Sequence, residues 1–147
     1  MAASTQDRYD IESGFAAQPE YPMKASVTIY KGTCVQVDTT GASQGRASMC
    51  TNTANTTFVG VASRQADNSG GIIDAMKVPI QPPQSLSILE LDATSPDNTW
   101  IGQLLVFTDD HTVALTGSGA QCGRCIEVNG TGTSGRVTVD LLIKDES

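Results

Sequence analysis

Ala25-Ser26-Val27-Thr28-Ile29-Tyr30, the turn Lys31-Gly32, and then Cys34-Val35-Gln36-Val37 form the stretch from which the fold of this chain is read. Val27 and Ile29 fall on one side of the first run, and Val35 and Val37 on one side of the second. Period two on both flanks of a Gly-containing turn predicts two half-buried strands. Working outward, Phe58-Val59-Gly60-Val61-Ala62 reads as a short apolar strand, with Gly60 marking a bulge or a close backbone approach. Asp38–Asn55 and Ser63–Gly71, rich in Thr, Ser, Asn and Gly, read as loops.

Further along, Ile72–Ile80 reads as a strand, Gln81-Pro82-Pro83-Gln84 as a polyproline-type connector, and Ser85–Leu91 as another strand. Strands are expected at Gln103–Thr108, Thr112–Leu115, Arg124–Val128 and Arg136–Ile143, separated by turns at Asp109-Asp110, Thr116–Ala120 and Asn129–Gly135. No stretch of ten residues carries an amphipathic helical pattern. Many short strands at this spacing predict an all-β sandwich or barrel. The two halves also echo one another. Gly32, Val35 and Val37, then Val59-Gly60-Val61-Ala62, then Val78-Pro79-Ile80 match Gly102, Leu105 and Phe107, then Cys122–Ile126, then Val137-Thr138-Val139. The echo points to two similar β-units, about 24–91 and 92–147, within one β-domain spanning 24–147.

Residues 1–23 read as an extended N-terminal arm: polar and acidic, with Tyr9, Ile11, Phe15 and Tyr21 as isolated apolar anchors. Such a segment lacks the apolar density to order itself but can dock on a neighbour. These four side chains are the expected contacts with a neighbour.

The chain has 147 residues, 39% hydrophobic, with charged residues at 17% and aromatics at 5%. A net charge of −7, with nine Lys and Arg scattered singly, argues against nucleic acid and against an anionic membrane surface. No apolar run reaches the length of a membrane span, and the first residues lack the pattern of a signal peptide, so synthesis in a host cytoplasm is expected.

Catalytic, cofactor and metal sites are not expected. His111, the single histidine, follows Asp109-Asp110 as an exposed hairpin tip, and no Gly-x-Ser-x-Gly elbow supplies a nucleophile. Cys122-Gly123-Arg124-Cys125 has knuckle spacing, but Cys34 and Cys50 do not form the second pair a structural zinc site needs. The four thiols are expected to be small buried apolar groups. Gly130–Gly135 precedes a strand rather than the helix N-terminus a phosphate loop requires. Asp92 with Asp97, and Asp109-Asp110, miss the calcium-loop spacing.

The motifs Gly32-x-x-Val35, Val59-Gly60-Val61-Ala62 and Val78-Pro79-Ile80, with Gly123–Ile126 and Gly135–Val139 in the second half, resemble those of tailed-bacteriophage capsid cement, or head decoration, proteins. The likeness covers residues 24–143. It implies a β-rich, homotrimeric structural protein without catalytic residues. Its partner would be the major capsid protein, on the outer surface of the virion. The alternative from another class is a carbohydrate- or receptor-binding β-sandwich of a viral fibre or adhesin, which needs an exposed aromatic platform.

Overall fold

In a computed structural model the described residues are 18–142. Twelve strands form: β1 Glu20–Pro22, β2 Val27–Ile29, β3 Cys34–Asp38, β4 Ala47–Met49, β5 Thr56–Ala62, β6 Ala66–Asn68, β7 Lys77–Gln81, β8 Ile88–Ala93, β9 Leu104–Phe107, β10 Val113–Ala114, β11 Gln121–Gly130 and β12 Gly135–Asp140. A four-residue helix, α1 Pro83–Leu86, and two 3₁₀ turns, Asn98–Trp100 and Gly132–Ser134, complete the described chain. The fold is all-β, as the period-two runs require.

The echo between the halves is a duplicated topology. Two five-stranded sheets run β1-β7-β5-β3-β4 and β8-β12-β11-β9-β10, and β2 pairs with β6 in a separate two-stranded sheet. Counted among the five strands of each large sheet, the order is first, fifth, fourth, second, third in both. Each sheet curls until its first strand meets its third. A parallel bridge joins Met23 to Ala47 in the first unit and Asp92 to Thr112 in the second, so each unit is a small, partly open five-stranded barrel. The turns leading into β3 and β9 match bond for bond. Gly32 and Gly102 adopt φ of 83° and 88°, and their N–H groups donate to Ala62 O (2.9 Å) and Cys125 O (2.8 Å). The Ala62 and Cys125 N–H groups donate back to Thr33 O and Gln103 O, at 2.9 Å each.

The same bulge bends both barrels. In the first unit Val35 pairs with Gly60 and Gln36 with Phe58, leaving Val59 as the extra residue. In the second, Leu105 pairs with Gly123 and Val106 with Gln121, leaving Cys122 extra. An extra residue of this kind kinks its strand and increases the local twist, which is what closing a small sheet demands. Met23, Val35, Ala47, Ala62, Val78 and Ile80 fill the first barrel. Their counterparts Ala93, Leu105, Val113, Cys125, Val137 and Val139 fill the second. Burying one of the larger of these side chains is worth about 1.5–3 kcal/mol.

The first unit also reaches into the second. Cys34, Cys50, Phe58 and Val61 belong to the second unit's apolar cluster, and the rings of Phe58 and Phe107 meet at 4.8 Å, tilted by 49°. Across the same junction the Cys34 N–H donates to Asp110 O (2.9 Å). The Ser118 and Gly119 N–H groups donate to Asn52 Oδ1 (2.7 and 3.2 Å). The second unit's core therefore extends across the junction, while the interior of the first barrel forms a cluster of its own.

Several boundaries differ from the sequence reading. Residues 20–22, assigned to the arm, form β1, because Tyr21 and Met23 alternate inward against β7. The stretches read as loops at 38–55 and 63–71 contain β4 and β6. Ile72–Met76 is not strand: Asp74 sits at φ 68° and the Ala75 N–H turns back to Ile72 O (3.2 Å). After Pro82, in extended geometry, the chain does not stay in polyproline form. Pro83 occupies the first helical position, where its missing N–H costs nothing, and α1 closes with the Ser87 N–H on Pro83 O (2.8 Å). The boundary between the units falls at this helix rather than after Leu91, because β8 pairs with β12 along its whole length.

A Cβ on Gly60 would lie 2.1 Å from Gln81 O, and one on Gly123 would lie 2.1 Å from Asp140 O, both at positive φ. Gly60→Ala and Gly123→Ala should each destabilise the protein by about 2–5 kcal/mol in urea unfolding, through overpacking and backbone strain together. Gly70→Ala, with open space around it, should change stability by less than about 0.5 kcal/mol.

Candidate functional site

The titratable groups gather at one place among the described residues. Asp109, Asp110 and His111 form the turn between β9 and β10, and their ligand atoms lie within 4.8 Å of one another. His111 Nδ1 is 3.3 Å from Asp109 and 3.2 Å from Asp110, and Nε2 is 3.8 Å from Asp92. The hydrogen bond that His111 donates to Asp110, reinforced by the surrounding carboxylates against a smaller desolvation, raises the His111 pKa above 6.5. With 59% of its side chain exposed, the imidazole is the solvated turn residue the sequence indicated. The turn itself is held at both ends: Asp110 O accepts from Cys34 N–H, and His111 O accepts from the Asp92 N–H (3.0 Å).

Around it the other charged candidates have structural partners. Asp92 faces Arg136 Nε (3.4 Å), which also approaches Glu90 through Nη2 (3.5 Å). Asp97 caps the Asn98–Trp100 turn by accepting from the Thr99 N–H (2.8 Å) and hydroxyl, which lowers its pKa. Asp92 and Asp97 thus serve different elements. Gly132–Ser134 closes the β11–β12 hairpin, and a strand follows it.

All four cysteines are buried thiols, each at most 2% exposed. They do not join any group of three potential metal ligands among the described residues. Burial first, then the charges of Asp110 and Asp109, pushes the Cys34 thiol from 9.0 up to about 12. Burial also raises Cys125, against a smaller lowering by a hydrogen bond from the Glu127 backbone. Thiols held neutral this way are poor nucleophiles.

Two concave surfaces involve the first unit. One depression of about 490 Å³ lies between β2, β3, β4 and the Thr51–Asn55 loop, with the Lys24–Asp38 ion pair (3.2 Å) among its lining residues. At its base Gln36, 2% exposed, exchanges two 3.2 Å bonds with Thr51. A second groove of about 440 Å³ runs between the barrels beside α1, lined by Tyr21, Thr57, Val59, Pro82, Pro83 and Leu142 among others.

Of the four predicted contact residues, Tyr21 is in β1, half-buried against the first barrel's core and open to this groove. Tyr9, Ile11 and Phe15 lie outside the described residues. The sequence reading did not single out Val59, Pro82 or Leu142, because a strand residue, a linker proline and a terminal leucine carry no surface signal by themselves. Trp100, the one tryptophan, is buried at 8% exposure, and among the described residues the exposed aromatic side chain is Tyr30, at 53%.

No family model, curated protein or solved structure matches this chain.

Two titrations test these environments. The His111 imidazole resonances should titrate above pH 6.5, and Asp110→Asn should move the midpoint down. The stabilisation tied to protonated His111 is present below pH 6.5 and lost as pH rises through the folded-state value. For Cys34 the thiol ionises in the unfolded chain near pH 9 but in the folded one only near 12. Its contribution to stability is therefore intact below pH 9 and should decline by about 1.4 kcal/mol per pH unit above it. Cys34→Ser should flatten that alkaline slope in urea titrations.

Proposed function

We propose that this chain is a structural virion protein that binds the outside of a phage capsid and stabilises the major capsid protein lattice. The observation that carries the reading is where the quoted motifs meet. Gly32-x-x-Val35, Val59–Ala62 and Val78–Ile80 lie at or on three adjacent strands, β3, β5 and β7, of one barrel. The second-half motifs fall on β11 and β12 of the other. This grouping of the motifs on neighbouring strands supports the resemblance.

The chemistry supports the same reading. The His111 imidazole is held by carboxylates in an exposed turn, and the cysteines are packed as apolar groups. A cement protein needs no reaction: it stabilises a lattice by touching several subunits at once, so that modest contacts multiply. The arm would extend that reach, with Tyr9, Ile11, Phe15 and Tyr21 as its contacts.

A glycan- or receptor-binding role is the second reading. Burial of Trp100 weighs against it, since the aromatic platform such a site uses is reduced to Tyr30 on the described surface.

The test is co-sedimentation with capsids of the encoding phage that lack this protein. The wild-type chain should bind at a fixed ratio to the major capsid protein. Tyr9→Ala/Ile11→Ala should fold normally yet bind at least tenfold more weakly, the loss expected from removing two anchors of about 1.5 kcal/mol or more each. Failure of the wild-type chain to bind capsids, together with saturable glycan binding, would favour the second reading.

A further inference from the structure

The duplicated topology makes the two barrels comparable residue by residue, and they differ at one end. The innermost layer of the second barrel on the side of its first strand's entry is Leu91, Phe107 and Cys122, all buried at 5% exposure or less. Phe58 of the first unit lies against Phe107 and stoppers that end. The corresponding layer of the first barrel is Tyr21, Val37 and Val59. These three pack on the first core but are only half-buried, and the 440 Å³ groove opens on Tyr21 and Val59. One barrel is corked by an aromatic ring, and its twin is open.

Two further observations say what belongs there. In the second unit, the residues just before the first strand help to close the barrel: Leu86 packs against the cluster, and Ser87 O accepts the Leu141 N–H (2.9 Å). By the same register the residues just before β1 stand in that place in the first unit. The ladder there still holds at Pro19, whose O accepts the Ile80 N–H (2.9 Å). The counterpart of Leu141, however, is Pro82, which has no N–H to give. The ladder therefore lacks its next donor at Pro82, which lines the open groove. The chain preceding Gln18 ends in Gly14-Phe15-Ala16-Ala17, its most apolar run. Phe15 stands three residues from Gln18, within about 10 Å of extended chain.

We propose that the open end of the first barrel is a docking site for the chain's own N-terminal segment, with Phe15 entering between Tyr21 and Val59 as Phe58 does against Phe107. The proposal does not rest on the capsid-binding reading. It divides the arm into a root held in cis and a distal part, carrying Tyr9 and Ile11, left available to a neighbour.

The experiment compares full-length wild type, Phe15→Ala, Phe15→Leu and Tyr9→Ala. Phe15→Ala should lower the thermal midpoint by about 4–8 °C and shift the Val59 and Val37 methyl resonances. Phe15→Leu should recover at least half of the midpoint, and Tyr9→Ala should leave both readouts unchanged. The Phe15→Ala effects should not vary with protein concentration. Identical midpoints and methyl shifts for wild type and Phe15→Ala would overturn the proposal. So would an effect that grows with concentration, which would assign the groove to the arm of a second copy. These outcomes are independent of capsid co-sedimentation.

Discussion

At Gly60 and Gly123 the chain runs so close to the carbonyls of Gln81 and Asp140 that a side chain has no room, and each barrel depends on that approach. Both glycines sit at a bulge in the fourth strand of their unit, with φ of 140° and 154°. The bulge bends that strand, the bend lets the sheet curl, and the curl brings the first strand round to bridge the third. Without it, a five-stranded antiparallel sheet would stay open and leave one apolar face in water. Position-by-position agreement of glycine, bulge and carbonyl in the two halves shows that the closing device was kept while most side chains around it changed.

What changed is as informative. Phe58 in the first unit corresponds to Gln121 in the second, and Val61 to Arg124. The first pair faces the neighbouring barrel and is buried; of the second, Gln121 is partly exposed and Arg124 faces solvent. The repeated topology presents two equivalent faces, and only one of them forms the junction. Apolar area is removed from water where the barrels meet, while the opposite face carries polar groups suited to water. The junction also accounts for the quiet chemistry of the thiols, since Cys34 and Cys50 belong to it.

Much of this was legible in the residues. Period-two runs at 25–30, 34–37 and 136–143 located strands, Gly60 announced the close approach, and the halves were similar enough to suggest one unit used twice. The reading failed where tertiary pairing overrides composition. Ala47–Met49 sits in a polar stretch and becomes a strand because Val35 and Val37 offer it a register. Glu20–Pro22 looks like part of an arm but is fixed by Val78 and its neighbours. The Pro82-Pro83 pair suggested an extended connector, yet proline is equally suited to open a helical turn, and the turn it opens marks the true division of the chain. Of the site, the His111 turn and the buried thiols were readable from spacing alone. The inter-barrel groove was not, because its walls come from four separate segments.

The strand order has a consequence for synthesis. In each unit the first strand pairs with the last, so neither barrel can close before its whole segment has left the ribosome. The first closes once Gln81 has emerged, and at that moment Cys34, Cys50, Phe58 and Val61 have nothing to lie against. They remain wet until Asp140 has been made and the second barrel has formed over them. During that interval the nascent chain presents an aromatic patch on a finished surface, the kind of exposure that invites pairing with another half-made copy. Rapid completion of the second unit is thus as much a safeguard against misassembly as a source of stability.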